Sequence, residues 1–309
     1  MKAVFMGTPD FAVGSLKALI ENNIEVVGVF TQPDKPQGRK MVLTPPPVKV
    51  LAEENNIPVF QPKTLRDGQA LSILSTLDYD IIIVVAYGKF LPVEILNSAK
   101  YGAINVHGSL LPKYRGASPI QWSIVCGEKK TGVTTMFMDE GMDTGDMLLT
   151  KETEITDEDT AETLSERLAE MGAELLIETV KEIEEGSITR TKQDNEKATY
   201  APIITKEMGK IDFNKRAEEI NCLIRGLISW PTAHFYLENS RVKVFSSAVT
   251  KGENKAPGTV LSSNGKLIVQ CGNNTAIEFL LIQPEGKGKM TASAFLNGRK
   301  IEEGSNLCG

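Results

Sequence analysis

Asn105 and His107 stand out as side chains able to do chemistry. They lie two residues apart in the apolar run GAINVHG (102–108), and the 309-residue sequence holds only two histidines. The run reads as a buried strand. Side chains alternate along a strand, so the carboxamide and the imidazole share one side. Buried polar groups need partners, and ligands of open α/β sheets bind just beyond the carboxyl ends of the strands. A carboxamide donates hydrogen bonds and an imidazole moves protons, so the pair suits a ligand site. A structural histidine satisfied by its own hydrogen bonds fits the same spacing. Gly108 then allows an unusual backbone geometry or a close ligand approach.

Three further stretches carry possible chemistry. MDEGMDTGDM (138–147) places Asp139, Glu140, Asp143 and Asp146 in a Gly-rich segment between two apolar runs. It lacks the alternating ligands of a calcium loop, and magnesium binding there is possible but has no support in the spacing. Either it is a solvated acidic turn or one carboxylate meets His107 in space. PDKPQGRKMVLTPPP (33–47) is a long Pro-rich loop with Lys35, Arg39 and Lys40. It reads as a mobile surface loop or as a positive cluster for an anionic ligand. MGTPDFAVGSL (6–16) has Gly7 and Gly14 at the wrong spacing for a dinucleotide-binding GxGxxG turn.

The elements that must position these residues alternate along the chain. Short apolar runs at 2–7, 24–30, 57–60, 80–88 and 102–108 read as strands. Stretches near 11–23, 48–55, 68–76, 92–99 and 118–125 read as helices. This βαβ alternation predicts an α/β fold with a doubly wound, mainly parallel, Rossmann-like sheet. Further strands at 132–139 and 146–155 lead to a long amphipathic helix carrying Leu164, Leu168, Met171, Leu175 and Ile183. The polar stretch 195–213 reads as a linker. A short helix at 217–228 precedes β-like runs at 242–249, 258–263, 266–271 and 276–283, with SSNGK and GNNT as turns. Those runs predict a small antiparallel β-barrel, OB-like, giving domains 1–203 and 204–309.

Composition narrows the class. The net charge is −6, split into −10 over residues 1–205 and +4 over 206–309, so an anionic partner would have to meet local basic patches. Cys126, Cys222, Cys271 and Cys308 show no CxxC spacing, which disfavours zinc and a disulfide framework. No secretory h-region opens the chain and no apolar run is long enough to span a membrane, so it reads as cytoplasmic, without membrane contact.

GTPDFA, AYGKFLP (86–92), INVHGSLLPKYRGASPI and GVTTMFMDEGMDTGDML together resemble the folate-dependent formyltransferases, and the resemblance extends through the linker and the C-terminal region. It implies 10-formyltetrahydrofolate as formyl donor and initiator methionyl-tRNA as acceptor; the chemistry requires no metal, and the chain is read as a monomer. The family's catalytic Asn, His and Asp fall on Asn105, His107 and Asp143. Its folate-binding stretch falls on Ser109, Leu110, Leu111 and Pro112, with Ala86, Tyr87 and Gly88 lining the pterin pocket. The 33–47 loop resembles an insertion that reaches the tRNA acceptor end, which assigns Arg39 and Lys40 to tRNA. Lys287, Lys289, Arg299 and Lys300 are the basic candidates of the C-terminal domain.

The chemistry is consistent with that mapping. A free α-amino group has a pKa near ~8, so it must lose a proton before it attacks a formyl carbonyl. The site must take that proton and stabilise an oxyanion. Asn105 can donate to the oxygen, and His107 beside a carboxylate can donate and shuttle protons. A formyltransferase acting on a small amine or sugar nucleotide, a hydrolase releasing formate, and a non-catalytic folate- or RNA-binding module remain as rivals.

Overall fold

A computed structural model describes residues 1–38 and 41–307. The chain divides into two compact units. The first comprises residues 1–119, 130–154 and 165–202, and the second 120–129, 155–164 and 203–309. Two segments that the linear reading assigns to the N-terminal domain thus group with the C-terminal part.

The first unit is built on a seven-stranded sheet. Its strands are β1 (Lys2–Gly7), β2 (Glu25–Phe30), β5 (Val59–Phe60), β6 (Ile81–Val85), β7 (Ala103–His107), β8 (Lys130–Phe137) and β9 (Met147–Glu154), in the order β5-β2-β1-β6-β7-β8-β9. The first five strands pair in parallel, while β8 and β9 are antiparallel additions. β6 is IIIVV and buried throughout, as a strand covered on both faces must be. Alternation sorts its neighbours. Ala3, Phe5, Ile104 and Val106 face one core with helices α1 (Asp10–Glu21), α2 (Pro47–Glu54) and α6 (Ala161–Glu185). Val4, Met6, Ile82, Val84 and Ala103 face the other, with α3 (Gln69–Leu74) and α4 (Val93–Leu96). Burying one such Val, Leu or Ile side chain contributes ~1.5–3 kcal/mol. α6 approaches so closely at Gly172 that a Cβ there would lie 2.9 Å from Val106. Asn105 and His107 therefore point to the face opposite α6.

The Pro-rich loop contains structure that its sequence hides, a hairpin of β3 (Lys35–Gln37) and β4 (Val42–Thr44). Its stem is braced by Lys49, whose Nζ donates to both Asp34 carboxylate oxygens and to Gln61 Oε1.

In the second unit β10 (His234–Leu237), β11 (Ser240–Lys251), β14 (Thr275–Pro284), β13 (Leu267–Gln270) and β12 (Val260–Ser262) form an antiparallel half-barrel sheet in that order, and β15 (Met290–Thr291) pairs with β14. α7 (Ala217–Gly226) and α8 (Ala292–Asn297) help close its core. Phe235 stacks on Phe279 at 5.1 Å, and Phe213 meets both edge-on. β10 and β11 are joined by Glu238 and Asn239, both at positive φ, as a two-residue I′ hairpin requires. β10, β15 and α8 have no counterpart in the sequence reading. The turns at 263–266 and 272–274 fall where SSNGK and GNNT place them.

Candidate active site

From β1 the chain runs outward to β2 and β5, then crosses back to β6 on the other side of β1. This reversal opens a crevice at the carboxyl ends of β1 and β6, where open α/β sheets bind ligands. Gly7 ends β1 there, and a Cβ on it would lie 2.7 Å from Phe5 and 2.9 Å from Ala12. Across the crevice Thr8 Oγ1 donates to the Tyr87 carbonyl (3.2 Å), as does Gln32 Nε2 (3.1 Å). Ala86 adopts φ +46° and is exposed, as is Gly88. The Tyr87 ring instead lies in the core, and burial pushes its phenol up to about 12. Of the three residues assigned to the pterin pocket, Ala86 and Gly88 form the accessible rim and Tyr87 supports it from below.

Asn105 and His107 stand on β7, the next strand over. Their register partners on β8 are Met136 and Thr134. Among the described residues no group bonds the Asn105 carboxamide, and the residue is only partly buried. His107 is buried, and its Nε2 lies 3.0 Å from the Tyr114 carbonyl. A carbonyl only accepts, so Nε2 carries a proton and donates it to that bond. The other ring nitrogen, Nδ1, faces Asp143, whose Oδ2 stands 3.7 Å from it. That is ion-pair range and longer than a hydrogen bond. The same carboxylate oxygen accepts from the Gly116 backbone N–H at 2.8 Å. The structure thus brings Asn105, His107 and Asp143 to the carboxyl end of β7.

Two loops hold this arrangement. In the first, 108–116, the Thr134 hydroxyl donates to the Ser109 carbonyl (2.7 Å) and accepts from the Leu111 N–H (3.2 Å). Ser109 is fully buried, and its hydroxyl donates to the Lys113 carbonyl at 2.6 Å. Ser109 is therefore a brace of the loop. Leu111 is buried, which leaves Leu110 and Pro112 as its partly accessible apolar members. In the second loop Asp139 Oδ1 accepts from Gly141 N–H and from the Thr144 hydroxyl, fastening the turn internally. Of the four acids in this stretch, Asp143 is the one that reaches His107. Tyr114 at φ +60° and Asp143 at φ +54° join Ala86 in the left-handed region. Such strain costs ~1–3 kcal/mol per residue and gathers at functional sites.

Thr199 and Ala201, in the stretch read as a linker, pair with the loop that follows His107. Arg115 N–H donates to the Thr199 carbonyl (2.9 Å), Ala201 N–H to the Arg115 carbonyl (2.8 Å), and Tyr114 N–H to the Thr199 hydroxyl (2.9 Å). Arg115, Thr134, Gln193 and Thr199 are the residues that sequence reasoning missed. Arg115 and Thr134 lie inside the resembling motifs but had no assigned role. Gln193 and Thr199 had no local signal.

The basic candidates fare unevenly. Arg39 and Lys40 lie outside the described residues. Lys289 Nζ sits 3.8 Å over the Phe245 ring, and Arg299 pairs with Glu238 at 2.5 Å. Lys35, Lys287 and Lys300 are exposed. Among the described residues no group of three or more His, Cys, Asp or Glu is arranged to hold a metal ion, and no helix is long and apolar enough to cross a membrane.

Residues 1–180 match the formyl transferase family, and residues 203–300 match the formyl transferase C-terminal domain. The chain belongs to the formyl transferase family. It is 50% identical over 309 residues to the methionyl-tRNA formyltransferase of Caldanaerobacter subterraneus subsp. tengcongensis, spanning 99% of this chain and 100% of that protein. It is likewise 50% identical over 301 residues to that of Thermodesulfovibrio yellowstonii, spanning 97% of each. Its fold resembles an N-formyltransferase from Helicobacter canadensis solved with folinic acid and dTDP-3-aminofucose. That match has a TM-score of 0.70 and 22% identity, over 90% of this chain and 98% of the other. Family membership gives the chain one chemistry, transfer of a formyl group.

Proposed function

We propose that this chain transfers the formyl group of 10-formyltetrahydrofolate to the α-amino group of methionyl initiator tRNA. The observation that carries this reading is the 50% identity over essentially full length, in both chains, to methionyl-tRNA formyltransferases. The local fit supports it. The Asn105 carboxamide, without a partner among the described residues, is available to donate to the formyl oxygen as charge develops there. The Ala86–Gly88 rim and the Leu110–Pro112 loop flank the crevice and supply apolar and backbone contacts suited to a pterin. The amine nitrogen bonds to the formyl carbon, the bond from that carbon to the donor nitrogen breaks, and the proton lost by the amine ends on the donor nitrogen. Nδ1 of His107, facing Asp143, is the chain's group able to hold that proton in passing. Asp143, fixed by the Gly116 N–H, keeps the ring oriented. Acting on charged tRNA places the protein in the cytoplasm, and we read the acting unit as a monomer.

The test is direct. The chain is incubated with 10-formyltetrahydrofolate and charged initiator tRNA, and the esterified amino acid is examined by mass spectrometry. N-Formylmethionine is the expected product. Formylation of free methionine or of an amino sugar, with charged tRNA untouched, would overturn the acceptor. Release of formate without acceptor formylation would make the chain a hydrolase.

A further inference from the structure

Gln193 lies beyond β9 in a polar stretch without periodicity, yet its amide is bonded at both ends. Oε1 accepts from Arg115 Nε at 2.9 Å, and Nε2 donates to the backbone carbonyls of Asp143 and Gly145, each at 2.8 Å. Chemistry fixes this orientation. A guanidinium only donates and carbonyls only accept, so a flipped amide would face donor to donor and acceptor to acceptor. Arg115 is 2% exposed, and its Nη2 donates to Asn195 Oδ1 at 2.9 Å. Two different nitrogens of one planar fork thus hold two side-chain amides, which a lysine could not do.

The segment Gln193 grips is the one that carries Asp143. Asp143 adopts φ +54°, and a Cβ on Gly145 would lie 1.9 Å from the Phe137 carbonyl oxygen, so the loop has a single tight path. The Gly116 N–H holds the Asp143 side chain, while Gln193 holds its backbone. Arg115 closes the circuit, because it follows Tyr114, whose carbonyl accepts the hydrogen bond from His107 Nε2. The acceptor of one ring nitrogen and the carboxylate facing the other are therefore tied through Arg115 and Gln193.

The geometry points to Gln193, oriented by Arg115, as a positioning residue that sets where Asp143 stands against His107. This rests on the reading of Asn105, His107 and Asp143 as the formyl-transfer site. Displacements of about 1 Å at a reacting geometry cost on the order of 10²-fold in rate. Gln193→Met keeps the length and packing of the side chain and removes all three hydrogen bonds. Gln193→Glu keeps the Arg115 contact and turns a carboxylate oxygen toward the two carbonyls.

The experiment measures formylation of charged initiator tRNA by the full chain, wild type first. A wild type without transfer would overturn the functional reading and, with it, this assignment. With an active wild type, both variants are expected to lose ~10- to 10²-fold in kcat, with KM for formyl donor and tRNA within about twofold. In an Asp143→Asn background the further loss from Gln193→Met should shrink to less than about twofold, because residues that act as a unit are non-additive. Folding is checked by circular dichroism, and Arg115→Lys provides the second route if a Gln193 variant does not fold. Its expected signature is the same kcat loss at unchanged KM. Folded variants with wild-type kcat, or losses that multiply fully with Asp143→Asn, would overturn the assignment.

Discussion

The two histidines of this chain are equally buried, each at 5% exposure, and yet they stand in opposite electrostatic settings. His107 ends a parallel strand, with Nε2 committed to the Tyr114 carbonyl and Nδ1 facing the Asp143 carboxylate. His234 begins the half-barrel sheet, with Nδ1 facing the Arg241 guanidinium at 3.1 Å and the Thr232 carbonyl at 3.2 Å. A proton on Nδ1 would meet an anion in the first case and a cation in the second. Burial, with the Thr232 carbonyl opposing it and Arg241 adding to it, holds His234 below the usual imidazole range. The contrast teaches that burial alone says little about a histidine's role, and that the neighbouring charge decides it.

The largest expected effect tests the contrast itself. His107→Ala should lower kcat for formyl transfer by ~10²–10⁴-fold, the usual worth of an acid–base group. His234→Ala should leave kcat within about threefold. Steady-state rates on charged tRNA check both, and comparable losses in the two variants would erase the distinction. Asn105→Ala should lower kcat by ~10²–10³-fold for one lost oxyanion donor. Donor binding, followed by equilibrium titration, should be nearly unchanged, and wild-type turnover would remove Asn105 from the mechanism.

Asp143→Asn removes the charge that separates the two settings while keeping shape. It should cost about as much as His107→Ala, and the double variant should fall well short of the product of the two losses. A double-mutant cycle with independent effects would break the pairing.

The smallest effect belongs to His234 and concerns stability. Its folded pKa lies below the unfolded value near 6.5, so in the window between them the unfolded chain binds more protons. Stability contributed by the neutral ring is present above that window and is lost as pH falls through and below 6.5. Thermal melts of the full chain at pH 7.5 and 5.5 should show an acid-induced drop that His234→Gln lessens. An equal drop in both proteins would remove His234 as its source.

How much of this was legible depended on distance along the chain. Asn105 and His107 could be placed on one side of β7 because strand alternation is local, and Ile104 and Val106 do face the opposite core. The Asp143 loop was recognisable as acidic and Gly-rich, but only the resemblance singled out one carboxylate among four. The Pro-rich loop concealed a hairpin because Pro36 and the prolines at 45–47 mask short strands. The 195–213 stretch read as a linker because its contacts at 199–201 are made by individual polar atoms and its core residues Ile211 and Phe213 are too few to leave a periodic trace.

By itself the sequence determined the alternation of strands and helices, the parallel core, the turn positions of the half-barrel sheet and the shared side of Asn105 and His107. These follow from propensities and periodicities that act within a few residues. Only the tertiary structure decided that Asp143, and not its acidic neighbours, stands against His107. It also decided that Gln193 grips the Asp143 backbone from 50 residues away, and that Arg115 is bound to residues 78 and 80 positions further on. Such contacts exist once the packed sheet has brought distant backbone segments within about 3 Å, and hydrogen bonds then discriminate among atoms that look alike in the sequence.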